Sequence, residues 1–159
     1  MAGFSHLDER GAARMVDISA KQDSVRTAWA SGIVRTTAEV LDLLTRDGLP
    51  KGDALATARV AGIMATKRTP DLVPLCHPIS ISGVTVDFSL HEAAIGIQAT
   101  VSSTGSTGVE MEALTAVAVA GLTLHDMIKA VDPAAVLGEI RLDCKQGGKS
   151  GVWTRPDGR

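Results

Sequence analysis

The chain has no tyrosine, only two tryptophans and two phenylalanines, and aromatics make up 3% of its 159 residues. Proteins that hold single-stranded nucleic acid stack bases on a series of rings, and that platform is missing here. Positive charge is not in excess either: 16 Lys and Arg stand against 18 Asp and Glu, for a formal net charge of -2. A phosphate backbone would find no broadly cationic surface, so nucleic acid is not an expected partner. Cysteine occurs twice, as Cys76 and Cys144. The opening stretch "MAGFSHLDERGAARM" lacks the continuous apolar core of a secretory signal, so both thiols are expected to stay reduced in a cytoplasmic protein. Long apolar runs are scarce as well. The longest without charge, Ala113 to Leu124, falls short of the about 20 residues that cross a bilayer, and no membrane is expected.

There are no internal repeats and no low-complexity linker. The simplest division is a flexible segment over residues 1–14, a single domain over 15–151 and a tail over 152–159, with enough chain to bury about two thirds of its unfolded surface. "MVDIS" (Met15 to Ser19) alternates weakly, and "TAWASGIVRT" (Thr27 to Thr36) ends as a strand. Thr36 to Gly48 reads as a helix, with Thr caps, an apolar stripe at Val40, Leu43 and Leu44, and a glycine stop. Gly52 to Thr69 reads as a second helix, stopped before Pro70. "GVTVDFSL" and "IGIQATVSS" alternate like paired strands, with "HEAA" as the hairpin connection. "VEMEALTAVAVAGLTLHDMIKAVD" predicts a long third helix, opened by a capping box of Thr107 and Glu110. "VLGEIRLDC" is a last strand. Hairpin strands with helices gathered between them predict an α+β fold, an antiparallel sheet with helices packed on one face.

The stretch "DLVPLCHPI" (Asp71 to Ile79) sets a thiol beside an imidazole between two prolines. Pro74 and Pro78 push Val73 and His77 toward extended geometry, where neighbouring side chains point to opposite sides. Cys76 and His77 then diverge, which weighs against a nucleophile with its base. Zinc wants about four ligands at clustered spacing, and no such spacing occurs, so no metal site is expected. Two readings stay open: a buried Cys in a proline-stiffened turn, and a rigid loop presenting backbone and His77 to a ligand.

The long helix places Glu110 and Glu112 in its first turns and His125, Asp126 and Lys129 in its last. Pairing with the helix dipole accounts for the glutamates and for the basic groups at the far end. It leaves Asp126 unexplained. The (i, i+3) spacing puts Asp126 and Lys129 on one face, as an ion pair or an acid/base couple. Two more segments carry anion chemistry: Lys51 before Gly52, and "CKQGGKSG", where Lys145 and Lys149 flank paired glycines able to form an anion nest. The second falls short of a nucleotide-binding P-loop, because Asp143 stands where its first glycine belongs and too few residues follow for the helix. Solvated surface lysines are the bland alternative for both.

The blocks "LCHPI", "GVEMEALTAVAVAGLTLHDMIKAVD", "KGDALATARVAGIMATKRTPDLVPL" and "KQGGKSG" together resemble the cyclic pyranopterin monophosphate synthase family, the molybdenum cofactor biosynthesis protein C. The resemblance runs from about Met15 to Gly151. It implies a ferredoxin-like α+β fold and a lyase that turns (8S)-3',8-cyclo-7,8-dihydroguanosine 5'-triphosphate into cyclic pyranopterin monophosphate and pyrophosphate. The substrate would come from a radical S-adenosylmethionine enzyme, and the chain would assemble as a homohexamer, a trimer of dimers. No cofactor is required by the sequence; a divalent cation accompanying the triphosphate is compatible with it. Gln146 and His125 depart from the family's pattern.

Carried over residue by residue, the resemblance implies substrate binding by Leu75, Cys76, His77, Met111, Glu112, Glu110, Arg26 and Lys145, and catalysis by Asp126, Lys51 and Lys129. Lys129, at a helix C-terminus beside Asp126, is expected to be protonated and to donate a proton or stabilise phosphate charge. Lys51, if it shares a pocket with other cations, is the candidate general base. A non-catalytic oligomer that only binds a nucleotide or pterin is the alternative. Glu112 and Asp126 lie about 21 Å apart along one helix, so a single ligand would hardly reach both within one chain. Two copies packed antiparallel would bring the Glu112 end of one helix to the Asp126 end of the other.

Overall fold

The computed structural model describes residues 7–156 apart from 9, 47, 48 and 50. Strand β1 (Ser24–Arg35) leads into helices α1 (Ala38–Thr45) and α2 (Ala54–Thr66) and a short turn of helix, α3 (Thr69–Leu72). A hairpin of β2 (Ile81–His91) and β3 (Ala94–Gly105) follows, then the long helix α4 (Glu110–Ile128), β4 (Val136–Gln146) and the two-residue β5 (Trp153–Thr154). The sheet order is β2-β3-β1-β4-β5, with every neighbouring pair antiparallel. Strands β1 and β2 therefore run the same way with β3 between them, the split βαβ arrangement of a ferredoxin-like α+β fold.

One face of the sheet carries the core. Ala28 stands opposite Val101, Ala30 opposite Ala99 and Val34 opposite Ile95, and all of these are 0% exposed. Alternate residues of paired strands share a face, and here that face lies under the helices. The other face presents Thr85, Asp87, Ser89 and Gln98 as exposed positions. Helix α4 lies across the apolar face with Ala113, Ala116, Val117, Ala120, Leu124 and Ile128 fully buried, at the three- and four-residue spacings of a helix stripe. Among the described residues α4 is the one helix long and apolar enough to cross a membrane, and this burial makes it the core helix of the domain. Truncating Ile128 to Ala would cost about 2–5 kcal/mol. Helix α2 packs against α4 closely enough that a Cβ on Gly62 would stand 3.0 Å from the Ala116 carbonyl oxygen.

Several boundaries differ from the sequence reading. Met15 to Ser19 forms no strand, and β1 begins already at Ser24. The first helix is capped by Thr37, whose side chain accepts from Val40 N; its expected stop, Gly48, lies outside the described residues. The second helix starts at Ala54, because Asp53 caps it by accepting from Ala56 N. It ends at Thr66, and Pro70 opens α3 at a first-turn position, where its missing N–H costs nothing. The capping box is not formed: Val109 is the N-cap of α4, with no side-chain cap bond, because the Glu110 carboxylate binds Lys145 of β4 instead. The hairpin turns on Glu92 and Ala93, with His91 and Ala94 already paired in the ladder. In the expected tail, Trp153 and Thr154 pair with Lys145 and Cys144 of β4.

Candidate active site

A cleft of about 1020 Å³ opens where the segment before β1, the loop after α3, the start of α4 and the segment after β4 converge. Leu75, Cys76 and His77 line it from the loop, Glu110, Met111 and Glu112 from α4, and Arg26 and Lys145 from neighbouring strands β1 and β4. The structure thus brings together every residue for which the resemblance implies substrate binding.

Local chemistry holds the loop in place. Val73 is extended, as a residue before proline should be, and Cys76 N closes a turn on Val73 O at 3.0 Å. Ser103, 0% exposed on β3, donates its hydroxyl to Ser80 O at 2.8 Å and so ties the end of the loop to the sheet. Sequence reasoning missed this anchor, because a serine in an alternating strand carries no mark of its distant acceptor. Arg26 Nε donates to Gly105 O at 2.8 Å. The paired glycines of the C-terminal motif have a steric cause: Gly147, at φ 102, would place a Cβ 2.2 Å from Val25 O, and Gly148 would place one 2.4 Å from the Arg26 guanidinium. Only glycine lets this loop lie over β1 and the arginine.

Lys145 Nζ meets Glu110 Oε1 at 2.7 Å. Glu112 is 2% exposed. Burial pushes its carboxyl up to about 7, the nearby charge of Glu110 adds to the rise, and its own backbone N–H offsets part of it. The Cys76 thiol is also pushed up, by burial first and then by the Glu112 charge. Cys76 is therefore kept as a thiol, which fits a packing role and not nucleophilic attack.

Lys51, Asp126 and Lys129 form a second cluster, and none of them lines the large cleft. Lys129 Nζ lies 2.6 Å from Asp126 Oδ1 and Lys51 Nζ 2.7 Å from Asp126 Oδ2. Hydrogen bonds from Lys129 and then from Lys51 hold the Asp126 carboxyl down at about 2. Lys51 does share its surroundings with a second cation, as anticipated, but an anion lies between the two. The spacing of Asp126 and Lys129 announced their pairing; Lys51, at a separation of 75 residues, could be joined to them only by the fold. The cleft can therefore take an anion and a polar ring edge, and the cluster offers two ammonium groups oriented by one permanent carboxylate.

The description "MoaC family" matches residues 15–148. The chain is 64% identical over 152 residues to cyclic pyranopterin monophosphate synthase 2 of Mycobacterium tuberculosis, covering 96% of this chain and 91% of that protein. It is 62% identical over 152 residues to the cyclic pyranopterin monophosphate synthase of Streptomyces coelicolor, covering 96% and 89%. The corresponding synthase of a Nocardioides species is 61% identical over 156 residues, with 96% of each chain covered. With a cleft in which the family's motifs meet, and with matches spanning nearly its whole length, the chain belongs to the MoaC family, the cyclic pyranopterin monophosphate synthases of molybdenum cofactor biosynthesis.

Proposed function

We propose that the chain converts (8S)-3',8-cyclo-7,8-dihydroguanosine 5'-triphosphate into cyclic pyranopterin monophosphate, releasing pyrophosphate, in the cytoplasm and on substrate supplied by a radical S-adenosylmethionine enzyme. The observation that carries this reading is the cleft itself, where Leu75, His77, Met111, Glu112, Arg26 and Lys145 face one space. A triphosphate wants several cations, and the guanine-derived ring edge offers N–H donors that a carboxylate can accept. Glu112, buried at the cleft wall, serves the ring edge. Arg26 and Lys145 serve the phosphates. A divalent cation would enter with the triphosphate.

Lys51 and Lys129 supply positive charge to the phosphoryl group being transferred, and Asp126 orients them. Asp126, ionised from about pH 2 upward, is too weak a base to take a proton near neutrality. The contact between Lys51 and Asp126 moves Lys51 from the role of base to that of charge stabiliser. These groups sit at the opposite end of α4 from Glu112, so each site is completed by a second copy of the chain. Apolar side chains left uncovered on α2 and α4, Met64 and Leu122 at 61% and Val60 at 56% exposed, favour such a partner. Antiparallel packing of two α4 helices would give two equivalent sites per dimer, and three dimers would make the hexamer. The direct test is pyrophosphate release by the purified protein from the cyclised GTP substrate. Binding without release would leave a carrier of nucleotides or pterins in place of a lyase.

A further inference from the structure

Just past the end of α4 lies a buried acid for which the chemistry above has no use. Asp132 is 8% exposed and gives both carboxylate oxygens to neutral donors: Oδ1 accepts from Ala134 N at 3.1 Å and Oδ2 from the Thr36 hydroxyl at 2.8 Å. Among the described residues no cation pairs with it. Its own N–H bonds to Ile128 O at 3.0 Å, which fixes the acid to the helix end that carries Asp126 and Lys129. Thr36 is fixed in turn, because its N–H bonds to Ala93 O of the hairpin at 3.0 Å. The two adjacent threonines divide their work: Thr37 caps α1, and Thr36 reaches across to Asp132. The start of the segment leading to Lys51 is thereby tied to the end of the helix that carries its two partners. An uncharged acceptor could hold a threonine hydroxyl with less desolvation. A carboxylate makes shorter and stronger bonds, which suits a tie that must hold position.

The cluster itself needs such a support. The side chains of Lys51, Asp126 and Lys129 are all more than a third exposed, and ion pairs this open to water hold little on their own. Their geometry must be set by the backbone that carries them. On the Lys51 side the chain turns through Gly52 N bonding to Leu49 O at 3.0 Å, with Leu49 buried in the core. Resting on the function proposed above, we propose that Thr36 and Asp132 are positioning residues for the reaction, their hydrogen bond setting Lys51 against Asp126 and Lys129 so that both ammonium groups meet the phosphoryl group. Neither residue lines the large cleft, so the tie acts on the chemical step and not on binding. Charges aimed at the transition state lose rate when displaced by about 1 Å, even by a change far from the reacting atoms.

Steady-state kinetics of Thr36→Val, which keeps the shape of the side chain and removes the donor, test this. The expected result is a kcat for pyrophosphate release lowered about 10- to 100-fold, with KM within about twofold of wild type. Thr36→Ser, which keeps the hydroxyl, should retain most of kcat. Asp132→Asn, which puts a donor in place of one accepting oxygen, should show the same split as Thr36→Val, and it stands in for that variant should the valine chain fail to fold. Lys51→Arg supplies the second arm: if the tie acts through Lys51, Thr36→Val lowers kcat by a smaller factor in the arginine variant than in wild type. A lower melting temperature with wild-type kcat makes the contact structural only and overturns the assignment. So does a loss confined to KM, or an effect strictly additive with Lys51→Arg. Wild-type protein that releases no pyrophosphate from the cyclised substrate refutes the function itself, an outcome distinct from failure of the tie.

Discussion

Lys51 donates to Asp126 twice, to Oδ2 at 2.7 Å and to the backbone carbonyl at 2.8 Å. The segment leading into α2 and the end of α4 therefore meet at one carboxylate, which Lys129 shares at 2.6 Å. Neutralising that carboxylate while keeping its shape should scatter both ammonium groups. Asp126→Asn is expected to lower kcat by about 10²–10⁴-fold. Circular dichroism should stay at wild type, since Asp126 is 54% exposed and outside the apolar stripe. An unfolded variant would show the residue to be structural.

A charge-stabilising Lys51 leads to a different expectation from a basic one. Lys51→Ala should abolish turnover with the fold intact. Lys51→Arg, which keeps the positive charge, should retain measurable turnover with the wild-type pH–rate profile. A displaced alkaline limb in the arginine variant would return Lys51 to the role of general base.

Glu112 links stability to pH. Its carboxyl titrates near 4.5 when unfolded and near 7 in the fold, so between those values the folded state binds more protons than the unfolded one. Stability must then fall as pH rises through that window and level off above it. By pH 8 the buried carboxylate should have lost the protein on the order of 3 kcal/mol relative to pH 4. Glu112→Gln removes this dependence. In denaturation curves from pH 4 to 8, the stability of the variant relative to wild type should rise with pH; a constant gap would contradict the burial of an ionisable Glu112.

Cys76→Ser should keep substantial activity. Burial and the Glu112 charge both disfavour the thiolate, so the sulfur contributes loop packing and no nucleophile. Complete loss of turnover with fold and substrate binding intact would reverse that assignment.

What the sequence made legible was whatever repeats locally. The alternation in β2 and β3 and the stripe in α4 placed the hairpin and the core helix, and with them the antiparallel sheet. Cap chemistry was less secure, because it depends on competitors far along the chain. Thr107 and Glu110 have the spacing of a capping box, but Lys145, 35 residues away, takes the glutamate. Pro70 looked like a terminator and instead begins a helix. At the site, motif blocks located the cleft residues, and Asp126 stood out as an acid at the wrong end of a helix. The Lys51 contact with Asp126 and the Ser103 anchor of the loop both rest on tertiary approach, which no local pattern records. The glycines at 147 and 148 were visible as a loop signal; their reason, the Val25 carbonyl and the Arg26 guanidinium beneath them, was not.

The most direct measurement concerns the two ends of α4. Glu112→Ala and Asp126→Ala variants, each inactive alone, are co-refolded, the formation of mixed oligomers is confirmed by native mass spectrometry, and pyrophosphate release is assayed. A site completed across two chains predicts partial recovery, since a mixed dimer pairs one intact Glu112 end with one intact Asp126 end. Mixed oligomers that remain as inactive as either parent would place Glu112 and Asp126 in a site formed by one chain and contradict the composite arrangement.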